Sequence, residues 1–406
     1  MASSSSVYFD APSASLFKFP PPSEPEAIPP SYIDVPFTIP DSLFTTALDP
    51  KAAITIASTY AITVGLLNSY NKSTGKKPWV ISQTAPFRIF IIFHDIFLAI
   101  FSVWIFIGML GALRRSIISP TNTYGLAGTV DSFCKLNGPS GLGNAASYNQ
   151  EQNKWEISPN RDDTGRLWNE GLAFYGWIFY LSKFYATLDT FIVLAKGKLS
   201  STLQTYYHAG AILYLWVGIR YMSAPIWIFV VLNSLVQART YTYYAVTAFK
   251  IHVSTNTKRT LTIIQIIQCL ICVCYAVLHP FVHYTIPVPV AASLYASVVS
   301  SAATAATESN VPGSLLDSLQ ETCFGAANSS DILFSQETST DSVAYEMLFE
   351  PSPCVTTTGQ IFAVWLNVLY LAPMTYLFAN FYYTNHIRRT VLRGRLAPPT
   401  AARMAP

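Results

Sequence analysis

Charge is scarce in this sequence. Asp, Glu, Lys and Arg make up only 12% of the 406 residues, against about 25% in a soluble domain. Hydrophobic residues reach 51% and aromatic ones 14%, which excludes an ordinary soluble core and points to a polytopic helical membrane protein. The net charge is +3, too small for the basic footprint of a nucleic-acid binder. The first fifty residues hold no apolar run of the length a secretory leader needs, so no leader is expected there. They are rich in Ser and Pro (Ser3 to Ser6, Pro20 to Pro22, Pro29, Pro30) and read as a disordered or extended tail. Cysteine is sparse as well. Cys269, Cys272 and Cys274 lie in one apolar stretch with no second pair nearby. A structural zinc site wants four ligands, so these read as packing residues, with no metal and no cofactor implied.

Seven stretches have the length and apolarity to span a bilayer, at about 20 residues each. They lie near 52–70, 89–113, 169–194, 204–222, 225–249, 260–284 and 359–384. The first is rich in Ala and Thr and is the weakest. The third and fifth carry charges. The expected fold is therefore all-α: a seven-helix transmembrane bundle over 52–384. A Pro/Ser-rich tail over 1–51 precedes it, and a basic cytosolic tail over 385–406 follows. Basic residues after spans 1, 3, 5 and 7 set the orientation. Residues 285–358 contain neither Lys nor Arg and read as a lumenal insertion. The N-terminus is then lumenal and the C-terminus cytosolic. Cys134, Cys323 and Cys354 fall on the two long lumenal loops, where Cys134 pairs with Cys323 or Cys354. Asn328 begins a glycosylation sequon on the same side. Asn71 begins another near the cytosolic face, where it is expected to stay unused.

Polar side chains recur at helical spacing inside these apolar stretches. Ser182, Tyr185 and Asp189 align, with Lys183 and Thr190 on a second stripe. Gln204, Tyr207 and His208 open the fourth span. Asn233, Gln237, Tyr241 and Tyr244 form one line on the fifth, and Gln265, Gln268 and Cys272 one on the sixth. His94 and Asp95 open the second. Asn, Gln, Ser and Thr hold membrane helices together by hydrogen bonds. Lys, Asp and His are costly at that depth and mark a functional cavity. Arg220 reads as a snorkelling residue at a helix end. Arg239 is expected to lie deeper and to pair with an acid or a bound anion.

The order of these residues resembles the ELO family of very-long-chain fatty acid elongases over roughly residues 80–284 and 359–385. Pro86-Phe87 with His94-Asp95 is similar to the family's Pro-Phe and His-Asn elements. Ser182-Lys183, Asp189-Thr190 and Val193-Leu194 with Lys196 and Lys198 resemble its Ser-Lys…Asp-Thr…Val-Leu-basic run. Gln204-Thr205-Tyr206-Tyr207-His208 stands where the family has His-x-x-His-His. Asn233, Val236-Gln237 and Tyr241-Thr242-Tyr243-Tyr244 resemble Asn…Val-His…Met-Tyr-x-Tyr-Tyr. Gln265-Ile266-Ile267-Gln268 and Asn380-Phe381-Tyr382 resemble the last two elements. The resemblance implies a 3-oxoacyl-CoA synthase of the endoplasmic reticulum with an acyl tunnel inside the bundle. Its substrates would be acyl-CoA and malonyl-CoA. Its surroundings would be membrane lipid, a second copy of itself or other enzymes of the elongation cycle. Lys183, Lys196 and Lys198 are its candidates for the CoA phosphates. Asp189, Asn233, Tyr241, Tyr244, Gln265 and Gln268 are its further substrate-binding candidates.

The departures concern the chemistry. Gln204, Tyr207 and Gln237 stand where the family has histidines, Asp95 where it has Asn, and Ala186 where it has Glu. Of the box only His208 remains. The family mechanism, as the resemblance implies it, parks the acyl chain on an imidazole, a competent nucleophile at neutral pH. A phenol ionises near pH 10, so Tyr207 needs activation by His208 or Arg239. Gln237 can steady a carbonyl or an oxyanion. Either His208 takes over the chemistry, or Tyr207 is an altered nucleophile, or the site is silent. The catalytic candidates are thus His208, Tyr207, Gln204 and Gln237. The rival functions are a silent acyl-CoA-binding or partner-binding paralogue and a seven-span receptor or transporter.

Overall fold

A computed structural model describes residues 6–19, 21, 27–30, 35–149, 154–156, 165–291 and 345–388. Two compact units divide the chain: Met1–Ser6 with Thr285–Ser352, and Val7–Tyr284 with Pro353–Pro406. In the first, the Ser6 N–H donates to Thr285 Oγ1 at 2.8 Å. Cys323, Asn328 and most of the 285–358 stretch lie outside the described residues, as does the tail from 389 on.

The second unit is a helical bundle whose helix starts are written in the sequence. Helix α1 (Asp41–Ala47) precedes α2 (Pro50–Ser73), which begins where Asp49 accepts the Lys51 N–H and proline takes the first turn. Thr84 caps α3 (Ala85–Ser116) and Ser201 caps α7 (Thr202–Arg220). Ser254 caps α9 (Thr255–Leu278), and Thr357 caps α10 (Thr358–Tyr382). Helix α4 (Gly125–Cys134) lies in a loop, and α8 (Ile226–Ala248) follows α7 after a tight turn. The third apolar stretch is built of three pieces: π-helical turns over Trp168–Gly176, α5 (Trp177–Ala186) and α6 (Leu188–Ala195). Gly171 breaks the helix at φ +154°, where a Cβ would meet Ala112 Cβ at 3.0 Å.

Five of these helical segments are long and apolar enough to cross a membrane: Pro50–Ser73, Ala85–Ser116, Trp168–Ala195, Asn256–Phe281 and Thr358–Asn385. The expected count was seven. Helices α7 and α8 are present at the expected positions, but Gln204, His208, Arg220, Asn233, Gln237 and Arg239 dilute their apolarity. Nearly half the residues of each are buried in the bundle and most of the rest are partly covered, so their side chains largely meet protein. Helix α3 shows the contrast. Phe90, Phe93, Phe97, Ile100, Ile107 and Leu110 are exposed, a continuous apolar face that suits lipid. Its other face buries His94, Asp95, Ser102 and Met109.

Two boundaries differ from expectation. The sixth stretch stops being helical at Leu278, because His279-Pro280-Phe281 turns the chain into strand β4 (Val282–Ala291). The N-terminal tail is partly built. Strand β1 (Val7–Phe9) pairs antiparallel with the first residues of β4, Tyr8 opposite His283, and a further strand, β5, covers Tyr345–Pro353. Phe44 of α1 is fully buried and stacks on Trp177. Strands β2 (Ser147–Asn149) and β3 (Lys154–Glu156) form a hairpin.

Cys134 is bonded to Cys354, which selects one of the two expected pairings. Beside it lies a buried ion pair. The Arg166 guanidinium, 2% exposed, donates to Asp131 Oδ2 at 2.6 Å and to the carbonyls of Pro139 and Gly141. The Tyr284 hydroxyl donates to the other Asp131 oxygen.

At the opposite end of α2, Asn71 is fully buried. Its amide donates to Leu194 O and Lys198 O and accepts from Trp79 Nε1. This sequon amide is thus spent on joining two loops. Gly197, at φ +73°, packs so closely that a Cβ would lie 2.4 Å from Lys76 O. The joint brings the backbones of Lys76, Lys77, Lys196 and Lys198 into one loop cluster.

Candidate active site

The polar interior forms where α5, α6, α7, α8 and α3 meet. Lys183 on α5 is 1% exposed, with its ammonium 3.5 Å above the Phe179 ring. It donates to Asn233 Oδ1 at 3.2 Å and to Gln237 Oε1 at 3.0 Å. These amides sit one turn apart on α8, so a single ammonium reaches both. Their other ends point to α7. Gln237 Nε2 donates to the Tyr207 hydroxyl at 3.1 Å, and Asn233 Nδ2 lies 3.5 Å from it. A cation on the carbonyl side of an amide polarises its N–H groups. The result is a pair of strengthened donors converging on one oxygen, the geometry that stabilises an oxyanion. Tyr207 is held from behind: the Tyr370 hydroxyl donates to its backbone carbonyl at 3.1 Å. Gly210 makes room for that tyrosine, since a Cβ there would lie 2.1 Å from the Tyr370 ring.

His208 follows Tyr207 and is buried. Its ring stands edge-on to Tyr207 and Tyr60, with centroids 5.2 and 6.1 Å away. Among the described residues it makes no hydrogen bond, so both ring nitrogens are open to a ligand. The Asp189 carboxylate is within electrostatic reach of Lys183, Tyr207 and His208.

Asp189 belongs to a second network. Its Oδ1 lies 2.8 Å from His94 Nε2, and its Oδ2 accepts the Tyr241 hydroxyl at 2.5 Å. His94 Nδ1 lies 3.1 Å from the Tyr185 hydroxyl. Asp95 brings a second carboxylate: ligand atoms of His94, Asp95 and Asp189 all lie within 4.8 Å of one another. By donor type they suit a cation. Yet His94 and both Asp189 oxygens are already engaged in hydrogen bonds.

The other candidates are less central. Gln204 is half-buried in the first turn of α7, its backbone N–H on the Ser201 cap, and its side chain joins neither network. Gln268 is buried on α9 and Gln265 half-buried a turn earlier, again outside both. Tyr244 is 45% exposed and rests its ring against Tyr241. Arg239 is exposed and forms no ion pair among the described residues. Its position on α8 turns it away from the Asn233–Gln237–Tyr241 face, so it is shallower than expected and no acid among the described residues pairs with it. Lys183 serves the interior amides and is not at the loop cluster. Lys196 is there, and burial together with the Lys198 charge lowers its ammonium below the usual lysine range, with Asp95 opposing. Sequence reasoning missed Tyr370 and Asn367, which lie on a helix that reads as plainly apolar. Asn367 is 1% exposed, and neither end of its amide has a partner among the described residues. A bound polar group would satisfy such an amide.

"Fatty acid elongase 2" of Trypanosoma brucei brucei is 30% identical over 111 residues, 27% of this chain and 41% of that protein. "Putative fatty acid elongase 2" of Schizosaccharomyces pombe is 29% identical over 103 residues, 25% of this chain and 28% of that protein. The aligned part therefore spans less than half of either relative. The match to the family as a whole is broader: the model of the GNS1/SUR4 (ELO) family covers residues 45–393, taking in every helix from α2 to α10 and both polar networks, and the chain belongs to that family.

Proposed function

We propose that this protein is a condensing enzyme of fatty acid elongation. It joins an acyl-CoA to malonyl-CoA, giving a 3-oxoacyl-CoA two carbons longer, CO2 and free CoA. The observation that carries this reading is the Lys183–Asn233/Gln237–Tyr207 network. Tyr207 and Gln237 stand where the family's imidazoles are expected, and with Lys183 and Asn233 they form a pre-aimed set of donors around one oxygen. Decarboxylation of malonyl-CoA makes an enolate, and attack on an acyl carbonyl makes an alkoxide. Both put negative charge on oxygen, and the polarised amides are built to receive it. His208, with open ring nitrogens beside Tyr207, is placed to hydrogen-bond a substrate carbonyl.

The bilayer frame belongs to the same reading. Helices α7 and α8 complete a seven-helix domain over 52–384, with the N-terminus lumenal and the C-terminus cytosolic in the endoplasmic reticulum. Residues 1–51 and 385–406 flank it. The acyl chain lies in a tunnel within the bundle, and the loops of Lys76, Lys77, Lys196 and Lys198 meet the CoA phosphates.

The test is direct. Purified protein in lipid nanodiscs is given long-chain acyl-CoA and malonyl-CoA, and the acyl-CoA pool is read by mass spectrometry. The expected product is the 3-oxoacyl-CoA two carbons longer than the substrate. Tight acyl-CoA binding without that product would make the protein a silent binding paralogue.

A further inference from the structure

The missing imidazoles leave the acyl carrier unassigned. The Tyr207 oxygen accepts from two amides, and among the described residues no base touches its proton. A different hydroxyl is better placed. Asp189 Oδ1, His94 and the Tyr185 hydroxyl lie in sequence, at 2.8 Å on one ring nitrogen and 3.1 Å on the other. This is the carboxylate–imidazole–hydroxyl logic of activated nucleophiles, in which the carboxylate fixes the tautomer and the imidazole takes the proton. Asp189 is itself held by the Tyr241 hydroxyl, so Nε2 carries the hydrogen toward Asp189 and Nδ1 is left as the acceptor. His94 is 1% exposed, whereas Tyr185 is half-buried beside Phe97, which is 53% exposed on the apolar face of α3. Tyr185 is thus the less enclosed member of the pair. Tyr241 is one turn beyond Gln237 on the same face of α8, so the two networks adjoin.

We propose that Tyr185 is the acyl acceptor of this site, with His94 as its base and Asp189 as the positioning residue. The proposal rests on the condensing reading above. The Tyr185 oxygen attacks the acyl-CoA carbonyl while His94 Nδ1 takes the phenolic proton. The C–S bond breaks, and the thiolate leaves with that proton as free CoA. Malonyl-CoA then loses CO2, and its C2 attacks the tyrosyl ester. The C–O bond breaks and the phenolate regains a proton from water. A phenolic ester is an activated acyl donor comparable to a thioester, so the carrier step is close to balanced.

The experiment mixes purified protein with acyl-CoA alone and follows thiol release and the mass of tryptic peptides. The expected result is a burst of one CoA per protein and an acyl adduct on Tyr185. Tyr185→Phe lowers the burst at least 100-fold, whereas Tyr243→Phe keeps it. His94→Gln slows the burst while leaving the affinity for acyl-CoA unchanged, a split that a purely structural role would not give. The groups facing His94 are Asp95 from its own helix, Asp189 from α6, Tyr185 from α5 and Tyr241 from α8. No burst in the wild type, an adduct on another residue, or a full burst from Tyr185→Phe overturns the triad. An adduct on Tyr185 without 3-oxoacyl product after malonyl-CoA is added keeps the triad and removes the condensing reading. Product formation at the wild-type rate by Tyr185→Phe does the reverse.

Discussion

Lys183→Met is expected to lower the condensation rate about 100-fold or more while leaving the fold as stable as before, or more so. The two effects separate because Lys183 is a buried cation whose direct hydrogen bonds go to amide oxygens, not to a carboxylate. Replacing a buried charge by an apolar side chain of similar length removes its desolvation penalty, which is often neutral or stabilising. The same change removes the positive end of the donor set. Asn233 Oδ1 and Gln237 Oε1 lose their donor, both amides are free to turn, and the Tyr207 oxygen loses its aimed N–H groups. Rate and melting temperature measured on one preparation check this. A parallel loss of stability and activity would mean that Lys183 holds the fold and does not serve the chemistry.

Asp131→Ala is expected to be the most damaging single change to the fold outside the site, at about 3–5 kcal/mol. It strands the Arg166 guanidinium, 2% exposed, with only neutral carbonyl acceptors. It also leaves Lys135 without the opposing charge of Asp131. Burial already pushes the Lys135 ammonium down to about 8, against the pull of Asp131 and with the Arg166 charge adding to the effect. Lys135 donates to Pro353 O beside the Cys134–Cys354 bond, so the disturbance reaches the tether of α10. The double variant Asp131→Ala, Arg166→Met should recover part of the loss, because the guanidinium is then no longer stranded, while Lys135 still lacks the opposing charge of Asp131. Thermal unfolding of the three proteins in detergent reads this. A single variant within about 0.5 kcal/mol of wild type, the range of an ordinary surface substitution, would show that the pair carries little of the fold.

The parts of the molecule that were legible are those written in local chemistry. Apolar length marked stretches near 52–70, 89–113, 204–222 and 359–384, and a helix lies at each. Spacing of four residues put Asn233, Gln237 and Tyr241 on one face, and they do share one. What crosses between helices was hidden. Lys183 could be read as a buried cation, but its amide partners on another helix could not, and a role at CoA phosphates was the nearest guess. His94 and Asp189 are separated by 95 positions, so nothing local joins them. Gly171 inside an apolar run gives no sign that the run is made of three pieces. Pro280 did carry a signal, since proline readily ends a helix. The expected span over 260–284 ran through it because the apolar composition continues into a strand. Arg239 was placed too deep because it follows Gln237 by two residues, a separation that turns a helical side chain far from the inner face.

The central claim is that this chain condenses acyl and malonyl units without imidazoles at positions 207 and 237. The most direct measurement is release of labelled CO2 from malonyl-CoA labelled at its free carboxyl, with and without long-chain acyl-CoA. The account predicts CO2 release that depends on acyl-CoA, matches the 3-oxoacyl-CoA formed mole for mole, and falls about 100-fold or more in Lys183→Met. Protein that binds acyl-CoA yet releases no CO2 above the protein-free rate would contradict it.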